Sequence, residues 1–327
     1  MVVHLKTAIK YIFLFLIGIA VLYFAFKNQD LCKIWLEIKS ANYFWILLSV
    51  VTVWFAHVLR AMRWQMLYNS ISYKVSFWNT YHAVFIGYLA NLALPRFGEI
   101  AKCSVVHKTA NVPLFASIGT VITERLFDIF VLLLTGLALV FFQFNLVFDF
   151  LNDTIYANIS KQLAGINYLW VLGLLILLLV FVLLIFYLLR KKFNNKFLRI
   201  LVSLKQGFNS YHKLKNKPLF LVYTFGIWVL YFLSMYFAFF SLAATASLGL
   251  NVAYTALVFS SFAMVAPVQG GIGVFHWMVA QALLLHFVPF KDGLAYATII
   301  HSSQLLLVLF LGSASLFVVL TKRRSSN

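Results

Sequence analysis

Asp and Glu number only eight in 327 residues, so a carboxylate beside an apolar stretch needs an explanation. Asp30, Glu37, Asp149, Asp153 and Asp292 fall in connections between apolar runs, where water can solvate them. Glu99, Glu124 and Asp128 do not. Glu124 and Asp128 are four residues apart and share a helix face, while Arg125 and Asp128 are three apart and can bridge. The apolar run from Asp128 to Gln143 is too short to cross a membrane, which draws Glu124, Arg125 and Asp128 into the edge of the hydrocarbon. Ionisable groups at that depth are paired, and they often mark a substrate path. Glu124 therefore needs a cation from elsewhere, and Arg96 or Lys102 is the candidate. A salt-bridge cluster that only pins two helices together would satisfy the same pattern.

Two sequences that break helices add a second kind of chemistry. The first runs from Asn91 through Pro95-Arg96-Phe97-Gly98-Glu99 to Lys102. Proline near a helix start and a carboxylate in the first turn are both favourable. The N–H groups of such a start, with Arg96 beside them, suit a phosphate. The second is Pro267-Val268-Gln269-Gly270-Gly271-Ile272-Gly273, whose glycines let a ligand approach the backbone before a half-helix through His276 and Trp277. Asn91, His276, His301, Ser302, Ser303 and Gln304 are lesser candidates, because polar side chains in apolar helices usually bond to neighbouring helices. No nucleophile–base pair and no metal-ligand spacing can be assembled, so neither an enzyme nor a metal or other cofactor is expected. Cys32 and Cys103 fall on opposite sides of the membrane in the topology below, which disfavours a disulfide.

The elements that hold these residues follow from composition. The chain is 63% hydrophobic and 10% charged, against about 25% charged residues in an ordinary soluble domain. Its solvent must be lipid. Six stretches reach the roughly 20 residues that a bilayer requires, at about 8–26, 43–62, 118–142, 168–189, 219–242 and 293–320. The first lacks a cleavage site and reads as a retained helix. Lys6 and Lys10, then Arg60, Arg63 and Lys74, then the basic loop 190–217, then Lys322, Arg323 and Arg324 all mark the cytoplasmic side. Both termini are thus expected in the cytoplasm, with the protein a multi-pass component of the plasma (inner) membrane.

The formal charge of +18 is concentrated in loops, nine Lys or Arg lying between Arg190 and Lys217 with no acid among them. That placement argues for topology and anionic headgroups, and against nucleic acid. Two apolar stretches then have no parity left: Phe77–Leu94 starts and ends inside, and Val252–Phe290 starts and ends outside. Each carries one of the breakers, so each reads as a re-entrant hairpin, tolerated where its backbone lines a polar cavity. The expected fold is an all-α integral membrane protein, one domain over 1–327. It has six transmembrane helices and two oppositely oriented re-entrant hairpins. Repeat one covers about 43–142 and repeat two about 219–320, an inverted pair of the transporter type.

Four segments of the sequence resemble the flippase-like transmembrane family, the membrane domain of lysylphosphatidylglycerol synthases and its stand-alone relatives. They are Arg60-Ala-Met-Arg63-Trp64, Asn91 through Lys102, Glu124-Arg125-Leu-Phe-Asp128 and Pro267 through Gly273. In the synthases this domain is thought to translocate the aminoacylated lipid made by a soluble domain that follows. Only seven residues follow Leu320 here, so aminoacyl transfer is not expected. Other relatives are tied to glycosyl transfer or polyprenyl-linked sugars. The resemblance implies a lipid flippase or scramblase-like protein for a phospholipid or a polyprenyl-phosphate-linked lipid.

The substrate-binding candidates are Arg96, Glu99, Lys102, Glu124, Arg125, Asp128, Gln269, Gly270, Gly271 and Gly273. The expected partners are membrane lipids with anionic headgroups. The alternatives are an integral membrane enzyme acting on a lipid-linked substrate and a partner subunit of a separately encoded lipid-modifying enzyme, docked through the basic loop. Against the enzyme, carboxylates beside cations make poor general bases.

Overall fold

The computed structural model describes residues 38–94, 96–150 and 207–324, with Tyr23, Trp35, Leu36, Val202 and Lys205 as isolated positions. The expected spans at 8–26 and 168–189, the basic loop as far as 206, Pro95 and Cys32 lie outside the described residues, those isolated positions apart. Every regular element in the described residues is helical. In chain order these are α1 (Tyr43–Ser70), α2 (Phe77–Ala93), α3 (Gly98–Ala110), α4 (Leu114–Phe142) and the short α5 (Phe144–Phe150). After the gap come α6 (Lys217–Phe239), α7 (Leu250–Ala263), a 3₁₀ turn (Gln269–Gly271), α8 (Val274–Leu284) and α9 (Phe290–Arg324).

Helices α1, α4, α6 and α9 are long and apolar enough to cross a membrane. They stand where the second, third, fifth and sixth spans are expected. At 1.5 Å per residue even the 23 residues of α6 reach about 34 Å, against a hydrocarbon core of about 30 Å. The chain is a multi-pass membrane protein. Exposed apolar side chains fit that solvent: Phe130, Leu133, Leu137 and Phe141 along α4, and Leu306, Phe310 and Phe317 along α9. Helix α1 runs on to Ser70, well past the expected end near residue 62.

Local signals account for the helix ends. Asn42, Ser76 and Asn216 cap α1, α2 and α6, each side chain accepting from a backbone N–H of the first turn. Asn111 ends α3 in the left-handed conformation, which asparagine tolerates, and Pro113 precedes α4. The two breakers interrupt helices as expected, between α2 and α3 and between α7 and α8.

Packing joins two similar groups. Within the first, α2 packs on α1 and α3, and α3 on α4; within the second, α7 packs on α6 and α8, and α8 on α9. Across the groups, α1 packs along α6, α2 on α9 and α4 on α7. Each group has its own buried core. One holds Trp64, Tyr68, Val84, Cys103 and Val106, and the other Phe239, Ala256, Phe275, Leu283 and Tyr296. Because lipid is as apolar as leucine, close packing and interhelical hydrogen bonds hold such interfaces. Ser49 and Ser234 bond at 2.8 Å between α1 and α6. Gly87 and Gly98 bring α2 and α3 so close that a Cβ on Gly98 would lie 2.1 Å from the Gly87 carbonyl oxygen.

Candidate functional site

An ion-pair cluster occupies the contact of α1, α3 and α4. Glu124 and Asp128, one turn apart on α4, face Arg60 and Arg63, one turn apart on α1. The spacings mesh: Arg60 Nη1 donates to Glu124 Oε1 and Asp128 Oδ2, both at 2.8 Å. Arg63 Nη2 donates to the same Glu124 oxygen at 3.2 Å and to Asp128 Oδ1 at 2.8 Å. Lys102 of α3 reaches the other Glu124 oxygen at 2.8 Å, with its ammonium 4.4 Å from the Trp64 ring centre. Arg63 also donates to Thr224, which ties α6 to the group. Glu124 and Arg63 are fully buried. Charges so placed are tolerated only when paired and hydrogen-bonded. At the rim, Arg125 Nε donates to Glu99 at 2.6 Å and its Nη1 stands 3.6 Å from Asp128.

The partner expected for Glu124 is therefore Lys102, and Arg96 does not join. Arg96 lies beyond α2 in the left-handed region (φ 59°), and its guanidinium donates to the Val265 carbonyl just past α7. In return, Gln269 Nε2 donates to the Ala93 carbonyl, the last residue of α2, at 2.8 Å. Each break thus satisfies a carbonyl that the other helix end leaves free. Gly270 packs on Leu92, and Gly270, Gly271 and Gly273 all have positive φ (57°, 76° and 84°), a conformation that glycine adopts without steric cost. So the ten candidates separate into two groups. Glu99, Lys102, Glu124, Arg125 and Asp128 form the ion-pair cluster. Arg96, Gln269, Gly270, Gly271 and Gly273 form the junction where the two breaks meet.

A cleft lined by Arg60, Tyr88, Asn91, Gly98, Glu99, Lys102 and Arg125 opens beside the cluster. Its free space, about 10 Å³, suits one water and no headgroup. Asn91 shapes it by accepting the Gly98 N–H at 2.7 Å, which fixes the first turn of α3. Behind the second break, the His276 and His301 rings stack with centres 4.9 Å apart, both buried. Ser303 bonds within its own helix and Ser302 is exposed, so neither builds a site. Among the described residues no three potential metal ligands gather.

Residues 11–312 match the lysylphosphatidylglycerol synthase TM region. The chain belongs to this family. A UPF0104 membrane protein from Methanocaldococcus jannaschii is 23% identical over 235 residues, covering 71% of this chain and 94% of that relative. No solved structure matches significantly.

In this member of the lysylphosphatidylglycerol synthase TM family, sequence reasoning passed over Arg60 and Arg63 as site residues. It took them for topological charges at a helix end, whereas α1 continues past them and they are its buried ion-pair partners. The signal was present: two arginines three apart match two carboxylates four apart, each pair presenting one helix face.

Proposed function

We propose that this protein binds and translocates a membrane lipid, with the headgroup handled where the ion-pair cluster meets the broken helices. The observation that carries the reading is the seven-residue cluster of Arg60, Arg63, Lys102, Glu124, Asp128, Glu99 and Arg125, which borders a polar cleft in an otherwise apolar membrane protein. Charges at membrane depth are the mark of substrate paths. The paired packing of α1 with α6, α2 with α9 and α4 with α7 is what an inverted repeat of residues 43–142 and 219–320 would produce, and it supports that organisation. In this reading α2–α3 and α7–α8 are re-entrant hairpins from opposite faces, with two further spans outside the described residues.

The cleft is too small for a headgroup as it stands, so this is an occluded form, and the junction of Arg96 with Val265 and Gln269 with Ala93 is what must part. Membrane lipids of the plasma membrane are the substrates, the acyl chains staying in the bilayer while the headgroup passes.

Reconstitution with headgroup-labelled lipid in proteoliposomes tests the proposal. Movement should fall in Glu124→Ala, which disrupts the cluster, and should change in Arg96→Ala, which removes the contact that closes the junction. Unchanged movement in both, with the folded state intact, would refute this site. A second reading, a membrane subunit for a separate lipid-modifying enzyme, draws on the exposed Lys74, Lys108, Lys213, Lys215 and Lys217 around the ends of α1, α3 and α6. Co-purification of an enzyme with the wild-type protein but not with a Lys213→Gln/Lys215→Gln variant would favour it.

A further inference from the structure

Both groups of helices carry a polar contact between the half-helix that follows a break and the long helix after it. In the first group it is an ion pair, Lys102 of α3 with Glu124 of α4 at 2.8 Å. In the second group the same place is filled by His276 of α8 and His301 of α9, buried rings stacked with centres 4.9 Å apart and planes inclined by 21°. Histidine is the side chain whose charge changes between pH 5 and pH 8. The pair is also tied to the break. The N–H of Gly273, the residue before α8, donates to His276 Nδ1 at 3.4 Å. A backbone N–H can only donate, so that nitrogen carries no proton here. A Cβ on Gly271 would lie 3.8 Å from His301 Cε1, which puts the second ring against the turn itself. His301 Nδ1 and Gln269 Oε1 are both buried without a hydrogen-bond partner among the described residues, and Gln269 is the residue that holds Ala93.

A charge on either ring would stand alone. Residues 250–284, which include α7, the turn and α8, contain no Asp, Glu, Lys or Arg. Among the described residues, the titratable group that faces each histidine is the other. On the elements packed around them, Tyr254 of α7 is turned to Thr135, Tyr296 of α9 to Met235 and His82 of α2 to Ser315. Lys291 and Asp292 pair with each other at the start of α9, His57 of α1 lies among Phe85, Tyr88 and Tyr231 of α6, and the arginines of α1 belong to the ion-pair cluster. Tyr236 of α6 lies against Phe240.

We propose that His276 and His301 form a proton-binding site that unlocks the second break, so that opening of the junction, and the lipid movement that depends on it, is coupled to the uptake of one proton. The clause on lipid movement rests on the transport reading above; the proton site does not. The pair takes one proton, because two imidazolium rings at this separation repel. On His276 Nδ1 the proton turns the acceptor of the Gly273 N–H into a second donor, and the start of α8 loses its bond. On His301 it sets a buried, unanswered charge against Gly271, which water can reach only when the turn moves. Either way the proton works against the closed break, and Gln269 in that turn carries the strain to Ala93 of α2.

Nitrogen-15 NMR of the histidine-labelled full chain in nanodiscs, titrated from pH 8 to pH 5, reads the site in the wild-type protein. The His276 and His301 rings, each assigned by its own single variant, should gain one proton between them. Opening is read by amide exchange at residues 93–98 and 265–271, taken as the ratio of wild type to His276→Asn/His301→Gln at the same pH so that the intrinsic rate cancels. Asn at 276 keeps an acceptor for the Gly273 N–H and does not titrate in this range. The ratio should be about fivefold higher at pH 5 than at pH 8, the factor expected for the loss of one hydrogen bond. His212→Gln, on the exposed surface, should leave the pH dependence in place.

A wild-type protein in which neither ring gains a proton between pH 8 and pH 5 would overturn the proposal, whether or not the variants fold. An exchange ratio that is the same at both ends of the titration would overturn it too. In proteoliposomes, lipid movement should be several-fold faster at pH 5 than at pH 8 for wild type and independent of pH for the double variant. Movement absent at every pH, with titration and opening intact, sinks the transport reading and leaves the proton site standing. Movement with one pH profile in both proteins sinks the coupling and leaves transport standing.

Discussion

Neutralising Glu124 should destabilise the protein more than any other single isosteric change in the cluster. Glu124 is fully buried and lies 2.8 Å from Arg60, 3.2 Å from Arg63 and 2.8 Å from Lys102. In Glu124→Gln, Arg60 and Arg63 would keep Asp128 as their one carboxylate and Lys102 would lose its own. Removing one partner from a buried ion pair costs about 3–5 kcal/mol, because the remaining charge is left uncompensated. Lys102→Met leaves Glu124 with two arginines and strips a donor from only one carboxylate oxygen, a loss of about 1–3 kcal/mol. The double variant should be more stable than the sum implies, by about 0.5–3 kcal/mol, since methionine at 102 removes the stranded cation. Reversible unfolding in mixed detergent micelles, followed by tryptophan fluorescence, reads all four corners of the cycle. A Glu124→Gln variant within about 1 kcal/mol of wild type, the range of an exposed pair, would refute the reasoning. Strict additivity would do the same.

Other expectations are as direct. Gln269→Ala removes the bond to Ala93, worth about 1 kcal/mol, so amide exchange at residues 93–98 and 265–271 should rise roughly fivefold, whereas exchange in α6 should not change. Gly98→Ala places a Cβ 2.1 Å from the Gly87 carbonyl oxygen and 2.7 Å from the Asn91 side chain, which should lower stability by at least about 1–3 kcal/mol and spread α2 from α3. A thermal melt unchanged from wild type would contradict that packing. For the inverted repeat, cysteines placed at Lys108 and Lys291 should react with membrane-impermeant reagents from opposite faces; reaction from one face would rule the repeat out.

Much of the fold could be read from local properties. Apolar runs of spanning length marked α1, α4, α6 and α9, since one helix turn satisfies its own backbone and needs no distant partner. Glycine at 270, 271 and 273 marked a break, because positive φ is a property of a single residue. The Arg125–Asp128 contact was likewise set by spacing along one helix. What joins different helices was not readable in that way. Arg60 meets Glu124 across 64 residues, and Gln269 meets Ala93 across 176. Lys102, not Arg96, supplies the cation for Glu124, because α3 packs its first turns on α4 while the Arg96 guanidinium reaches the far side of the junction. By itself the sequence determined that the chain lives in lipid, where its helices run and which residues cannot be left unpaired there. Tertiary packing alone decided which charges answer one another, because only the docking of α1, α3 and α4 brings four cations and three carboxylates within hydrogen-bonding range.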